Sequence, residues 1–251
     1  MTLHAQRALI FPIILSLAGG EIAAQYKSDA NFGVKAGAYF SKISGIGDML
    51  VSEGFYSGYS FTDDFRPSVS ANIFFSYSIP RTPVGIEARI SYDGVNSRTN
   101  YNDIEGFSYT LSTKFQTLGA SAHIKGYASK GLYASVGIGY GWCLGSNNFR
   151  YSSNSSEIDW GEASVPTNDE TADEIAESFS CNSVVYLPLA IGYEFPSGLN
   201  IEAFYRRGLN DVITTLTNRH DFGEADNKLN SFGLLVGWGF TMDKPDKRRN
   251  R

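Results

Sequence analysis

Lys35, Glu87, Arg89, His123, Lys125, Glu194, Glu202 and Arg206 carry the chain's most suggestive chemistry, because each alternates with apolar residues along its own run. Cations and carboxylates gathered on one side of such runs can relay protons or ions, or can pair with one another as a solid filling. In a narrow interior the filling is the favoured outcome, with Glu87 beside Lys125, and Glu202 beside Glu194 and Arg206. His220 and Asp221, in NRHDFGE, offer a different chemistry, since a surface hydrolase keeps a general base in such a place. Neighbours in sequence need not converge in space, and no GxSxG accompanies them. His4 falls in the N-terminal leader, so His123 is the other histidine of the mature chain.

Cys143 and Cys181 stand at the two feet of the longest connection, and a bond between them would close that loop at its base. Extrapolated alternation turns Cys143 inward and Cys181 outward, but alternation fails readily at strand ends, so a disulfide is expected. Between them, EIDWGEASVPTNDETADEIAES holds eight acidic residues and no basic one, and Asp169, Glu170, Asp173, Glu174 and Glu177 would share one side of a short helix. Their spacing does not fit an EF-hand, so a solvated acidic loop is expected and no metal site is assigned. GFYSGYSF, in the first long loop, could contact a sugar, a partner or the membrane interface. Gly137, Gly139 and Gly141 imitate a dinucleotide fingerprint, yet no helix follows them and no cofactor is implied.

What must position these residues is a repeated period of two. In GLYASVGIGYGWCLG, Leu132, Ala134, Val136, Ile138, Tyr140 and Trp142 oppose Tyr133, Ser135 and three glycines. That is the mark of a β-strand with unlike faces. Strands of the same kind are expected at about 32–41, 68–79, 84–93, 115–127, 131–143, 184–195, 198–209 and 230–241. Their connections alternate between tight turns (PRTP, ASKG, PSG) and long segments at roughly 42–67, 94–114, 144–183 and 210–229. The fold class that follows is all-β: an eight-stranded antiparallel up-and-down transmembrane β-barrel with short periplasmic turns and four long extracellular loops. Pro188 lies inside a strand, where a bulge is expected.

Residues 1–24 have the charged start, short apolar run and small-residue end of a signal peptide, leaving 25–251 as the barrel domain with a basic tail at 242–251. Two aromatic girdles are expected on the apolar face: Tyr77, Tyr193, Phe195, Trp238 and Phe240 near the short turns, and Phe40, Tyr92, Tyr140, Trp142 and Tyr205 near the long loops. A net charge of -5 argues against nucleic acid as a partner. Mean hydropathy is only -0.19, as expected when lipid-facing residues occupy every second position.

The staves FGVKAGAYFSKI, YLPLAIGYEF, YRRGLNDV and FGLLVGWGF resemble those of the PorT-like outer-membrane β-barrel family of the Bacteroidetes type. The resemblance implies an outer-membrane location and an eight-stranded barrel, and it implies no activity. The chain departs from it in the ten-residue tail 242–251 beyond Phe240, where such chains usually close on an aromatic residue. The resulting expectation is a non-enzymatic barrel that presents surface loops or supports the envelope. Its partners would be outer-membrane lipids, and, during biogenesis, the barrel assembly machinery and periplasmic chaperones. The competing readings are a loop-histidine lipid hydrolase or protease, a secretion component, and a soluble lipocalin-like barrel with its faces reversed.

Overall fold

Strands whose two faces differ this sharply must bury one face and expose the other, and closing the sheet on itself does so without leaving an edge. In a computed structural model, which describes residues 30–49, 59–104, 106–128, 131–157, 166–215 and 226–242, eight strands close in this way. Around the ring they run β1 (Ala30–Ser44), β10 (Lys228–Met242), β8 (Leu199–Gly208), β7 (Val184–Glu194), β5 (Leu132–Ser153), β4 (Ser108–Tyr127), β3 (Val84–Asp103) and β2 (Tyr59–Ser78). Each neighbouring pair is antiparallel. The leader at 1–24, His220, Asp221 and residues 243–251 lie outside the described residues.

The faces sort by chemistry. Val69, Ile73, Ile191 and Leu234 are 60–68% exposed on the outer wall, whereas Lys35, Lys125, Glu87 and Glu202 are at most 2% exposed inside. Glycine has a specific job on the inner face. A Cβ on Gly139 would lie 2.3 Å from the Tyr186 ring, and one on Gly192 would lie 2.5 Å from the Tyr133 ring. The two tyrosines therefore lie across the lumen over glycine backbone, which no larger residue permits.

Four strands are longer than alternation alone suggests. β2, β3, β4 and β5 have 20, 20, 20 and 22 residues, so parts of the connections expected at 42–67, 94–114 and 144–183 are strand. Two interruptions disguise the extension. Register shifts occur between Phe65 and Ser70 on β2, around Pro67, and between Lys114 and Gln116 on β4, opposite the turn of chain at Gly145. Above them the outward face carries Asn, Ser and Thr with Arg98, Lys114 and Arg150, while Phe61, Tyr101, Tyr109 and Tyr151 form an aromatic ladder with centroids 4.8–5.2 Å apart.

Pro188 does not sit in a bulge. Val136 pairs with Leu189 and Gly139 with Tyr186 in one unbroken register, and the ladder merely skips the two positions between them. A missing N–H removes a hydrogen bond without requiring an extra residue.

The loop end is closed by a small folded cap. The helical turn α1 (Ile46–Met49), helix α2 (Asn168–Ser178) and the two-stranded sheet of β6 (Phe179–Cys181) and β9 (Ile213–Thr215) bring Ile46, Met49, Ile175, Phe179, Val212 and Ile213 together. These pack on Val95, Leu111, Phe115, Phe149, Val184 and Tyr186 of the wall's inner face. Helix α2 starts in a capping box, with Thr167 accepting from the Glu170 N–H and the Glu170 carboxylate accepting from the Thr167 N–H. Cys143 and Cys181 form a disulfide with Cα atoms 6.1 Å apart. Cys181 reaches Cys143 because β6 belongs to the cap and not to the wall, so alternation along β7 does not extend to it.

Because this bond closes a 38-residue separation, reducing it is expected to lower unfolding stability by about 4 kcal/mol in urea titrations of the detergent-solubilised barrel. Identical titrations for oxidised and reduced protein would contradict the assignment.

Candidate functional site

Charges carried into a low-dielectric interior must be neutralised by partners. The lumen achieves this with three cations and three carboxylates, Lys35, Arg89 and Lys125 against Glu87, Glu194 and Glu202. Lys35 Nζ donates to Glu87 Oε1 at 3.0 Å and to Glu202 Oε2 at 2.9 Å. Arg89 donates through Nη1 and Nη2 to both Glu202 oxygens, at 2.5 and 2.7 Å, and through Nε to Glu87. Lys125 Nζ lies 2.5 Å from Glu87 Oε2 and 2.6 Å from Glu194 Oε1. Tyr133 adds a hydroxyl donor to Glu202 at 2.6 Å, and its ring lies under the Lys125 ammonium at 4.4 Å. Six strands thus meet in one network.

Glu202 does not pair as expected. Its partners are Lys35 and Arg89 across the lumen, while Arg206 binds Asp93 at 3.0 Å in a separate layer nearer the cap. There Ser91 Oγ donates to Asp93 Oδ2 at 2.8 Å, and the Arg206 guanidinium packs over Phe204 at 4.6 Å and Tyr186 at 5.6 Å. Tyr39 closes this layer by donating to the Gly94 carbonyl at 2.5 Å. His123 is buried beside the network, with Nε2 3.0 Å from Ser121 Oγ.

Sequence reasoning singled out neither Asp93, Tyr133, Tyr39 nor Tyr186. All four have inward parity in their strands, so parity was the available signal; only the three-dimensional closure shows which of them meet. The expected girdle residues Phe40, Tyr92, Tyr140, Trp142, Tyr205, Tyr193, Phe195, Trp238 and Phe240 lie on the exposed outer wall, and Tyr77 is half-buried at its strand end. Asp169, Glu170, Asp173, Glu174 and Glu177 occupy the exposed side of α2. The Thr167 backbone amide, which donates to the Glu170 carboxylate, holds that group below the usual carboxylate range. At the base of the last loop, Asp211 accepts from Lys228 Nζ at 2.8 Å and from the Asn227 N–H at 2.9 Å, which lowers its pKa likewise.

Chemically, this interior is an ionic plug. Each of its three network carboxylates has a cation within 3.0 Å, and the apolar cap covers the opposite half of the bore.

No family model matches the sequence, and no curated protein matches it. Among solved structures, the chain is similar to neisserial surface protein A, with 15% identity over 83% of this chain and 97% of that chain and a TM-score of 0.38. It is also similar to Ail, the attachment invasion locus protein of Yersinia pestis, with 12% identity, 84% and 99% coverage and a TM-score of 0.35. For the outer membrane protein OprG of Pseudomonas aeruginosa the corresponding values are 12%, 88%, 99% and 0.36.

Replacing Glu202 by Gln keeps the side-chain shape but removes one of the two carboxylates that Lys35 and Arg89 share, leaving Glu87 alone against them and the buried network one positive charge in excess. Urea unfolding in detergent micelles is expected to show a loss of about 3–5 kcal/mol. A loss below about 1 kcal/mol, the scale of a solvent-exposed pair, would contradict the plug.

Proposed function

We propose that this chain is an integral β-barrel of a bacterial outer membrane. In this reading it is non-enzymatic, and it either presents its capped loop end for binding or supports the envelope mechanically. One observation carries the reading: the outer wall is a continuous band of exposed Val, Ile, Leu and aromatic side chains, while the charges are turned inward. Monomeric soluble proteins rarely expose apolar patches beyond a few hundred Å². A bilayer inverts that preference, and a closed barrel leaves no backbone group unpaired within it. A lipocalin-like barrel would need the opposite orientation, with the apolar set lining the bore.

The short turns at Ile79–Pro83 and Phe195–Gly198 then face the periplasm, and the cap faces the exterior. The tight packing of the plug favours a barrel that does not conduct, because bound cations and carboxylates occupy the space an aqueous path would need. Within its class, the stave motifs support placing the chain beside the PorT-like barrels, and no secretory role is carried over with that placement. A hydrolytic role would rest on His220 and Asp221, which lie outside the described residues.

The expected behaviour is partition with outer membranes and heat-modifiable migration on detergent gels, with unboiled protein running apart from boiled protein. A mature chain that stays folded and monomeric in buffer without any amphiphile would overturn the reading.

A further inference from the structure

Charge on the outer wall is one-sided. Along the barrel strands Lys42, Arg98, Lys114, Arg150 and Arg207 all have outward parity, and all lie toward the loop end. Among the described residues, Asp64 is the one strand carboxylate on the outward face, and its Oδ2 accepts from the Asn100 amide at 2.8 Å. None of these five cations has a carboxylate within 4.0 Å among the described residues. Asp64 stands opposite Arg98 across the β2–β3 ladder, so one acid faces five cations, an excess that is costly for an isolated protein and favourable against an anionic surface.

Three of them converge. Ser112 on β4 pairs with Arg98 on β3 and with Arg150 on β5, and Lys114, two residues along β4, pairs with Asn96 and Asn148. Lys114 is therefore the diagonal neighbour of both arginines, at roughly 7–8 Å in a sheet of this geometry. Like charges so placed repel unless something anionic sits among them. Lys114 and Arg150 are exposed, and Arg98 Nε is shielded from solvent with no hydrogen-bond partner. Asn96, Ser112, Asn148 and Thr110 surround the three with neutral hydrogen-bonding groups, and Asp64, the cross-strand partner of Arg98, is engaged by the Asn100 amide.

On the same three strands, toward the short turns, the wall hollows. Ala88, Ala120 and Ala122 floor an apolar groove of about 800 Å³, walled by Ile90, Ile138 and Tyr140. Lys114 and Ala120 are six residues apart, roughly 20 Å along a strand. The hydrocarbon of one leaflet is about 15 Å deep. A head group held by the cations would thus send its acyl chain down the wall to the groove.

We infer that Arg98, Lys114 and Arg150 form a binding site for the phosphorylated head group of an outer-leaflet lipid, whose acyl chain lies along β3–β5 toward the Ala88–Ala122 groove. The site rests on the membrane-spanning reading above. Arginine forks match phosphate oxygens in pairs, and Lys114 supplies the point charge between them.

The test uses the full mature chain in nanodiscs of phosphatidylcholine with a minor fraction of phosphatidic acid, whose head is a phosphomonoester. Native mass spectrometry counts the phosphatidic acid retained on the released protein. The R98Q/K114Q/R150Q variant is expected to lose about a hundredfold in retention, the worth of three interfacial cations. A K42Q/R207Q variant, altered in the same belt but outside the triad, should keep the lipid. Equal retention by the triad variant, or equal loss in the control, would overturn a defined site. Full displacement of the lipid by excess inorganic phosphate would also overturn it, because phosphate alone would then be what is read. Heat-modifiable migration of each inserted sample separates the two readings: without insertion the membrane assignment fails first, and with insertion but unchanged retention only the lipid site fails.

Discussion

The bore of an eight-stranded barrel is only as wide as the side chains that fill it. Everything inside this protein answers to that limit. Lys35, Arg89 and Lys125 are long, and they fit because Gly192 and Gly139 yield their space to the Tyr133 and Tyr186 rings. The charges are tolerated because they balance three against three and share hydrogen bonds across six strands. Removing any one member unbalances the buried charge, which is far costlier than losing a pair at the surface. Filling and neutrality are a single requirement here, and the wall can be apolar outside only because the polar groups have been accommodated within.

The loop end is built on a different principle. Above the plug the bore is filled largely by apolar side chains, with cap residues such as Ile46, Ile175 and Phe179 seated on Leu111, Phe149 and Val184. The Arg206–Asp93 layer marks the boundary between the two regimes. The disulfide ties the cap to β5 at that level, so the cap is fastened to the extended β2–β5 sheet, with the acidic side of α2 exposed at its edge.

Much of this was legible in residue order. Alternation in GLYASVGIGYGWCLG and its counterparts marks eight wall strands, and inward parity collects Lys35, Glu87, Arg89, Lys125 and Glu202 on one face. Parity states the face but neither the height nor the bearing of a side chain around the bore. Glu202 on β8 therefore meets Lys35 and Arg89 on β1 and β3, and not its strand neighbours. The upper halves of β2 to β5 were hidden for another reason: above the register shifts at Pro67 and Gly145 the outward residues become Asn, Ser, Thr and basic side chains, so the contrast between faces weakens. Pro188 misled in a similar way, because a proline can drop one rung of a ladder without adding a residue.

Leu234 and Leu235 are adjacent in β10 and chemically identical, yet one is 60% exposed on the outer wall and the other is fully buried in the bore. Nuclear Overhauser contacts from acyl-chain methylene protons, measured on the methyl-labelled barrel in nanodiscs, distinguish them directly. Strong contacts to the Leu234 methyls and none to those of Leu235 are the expected result. Lipid contacts to Leu235, or none to Leu234, would contradict the orientation of the wall.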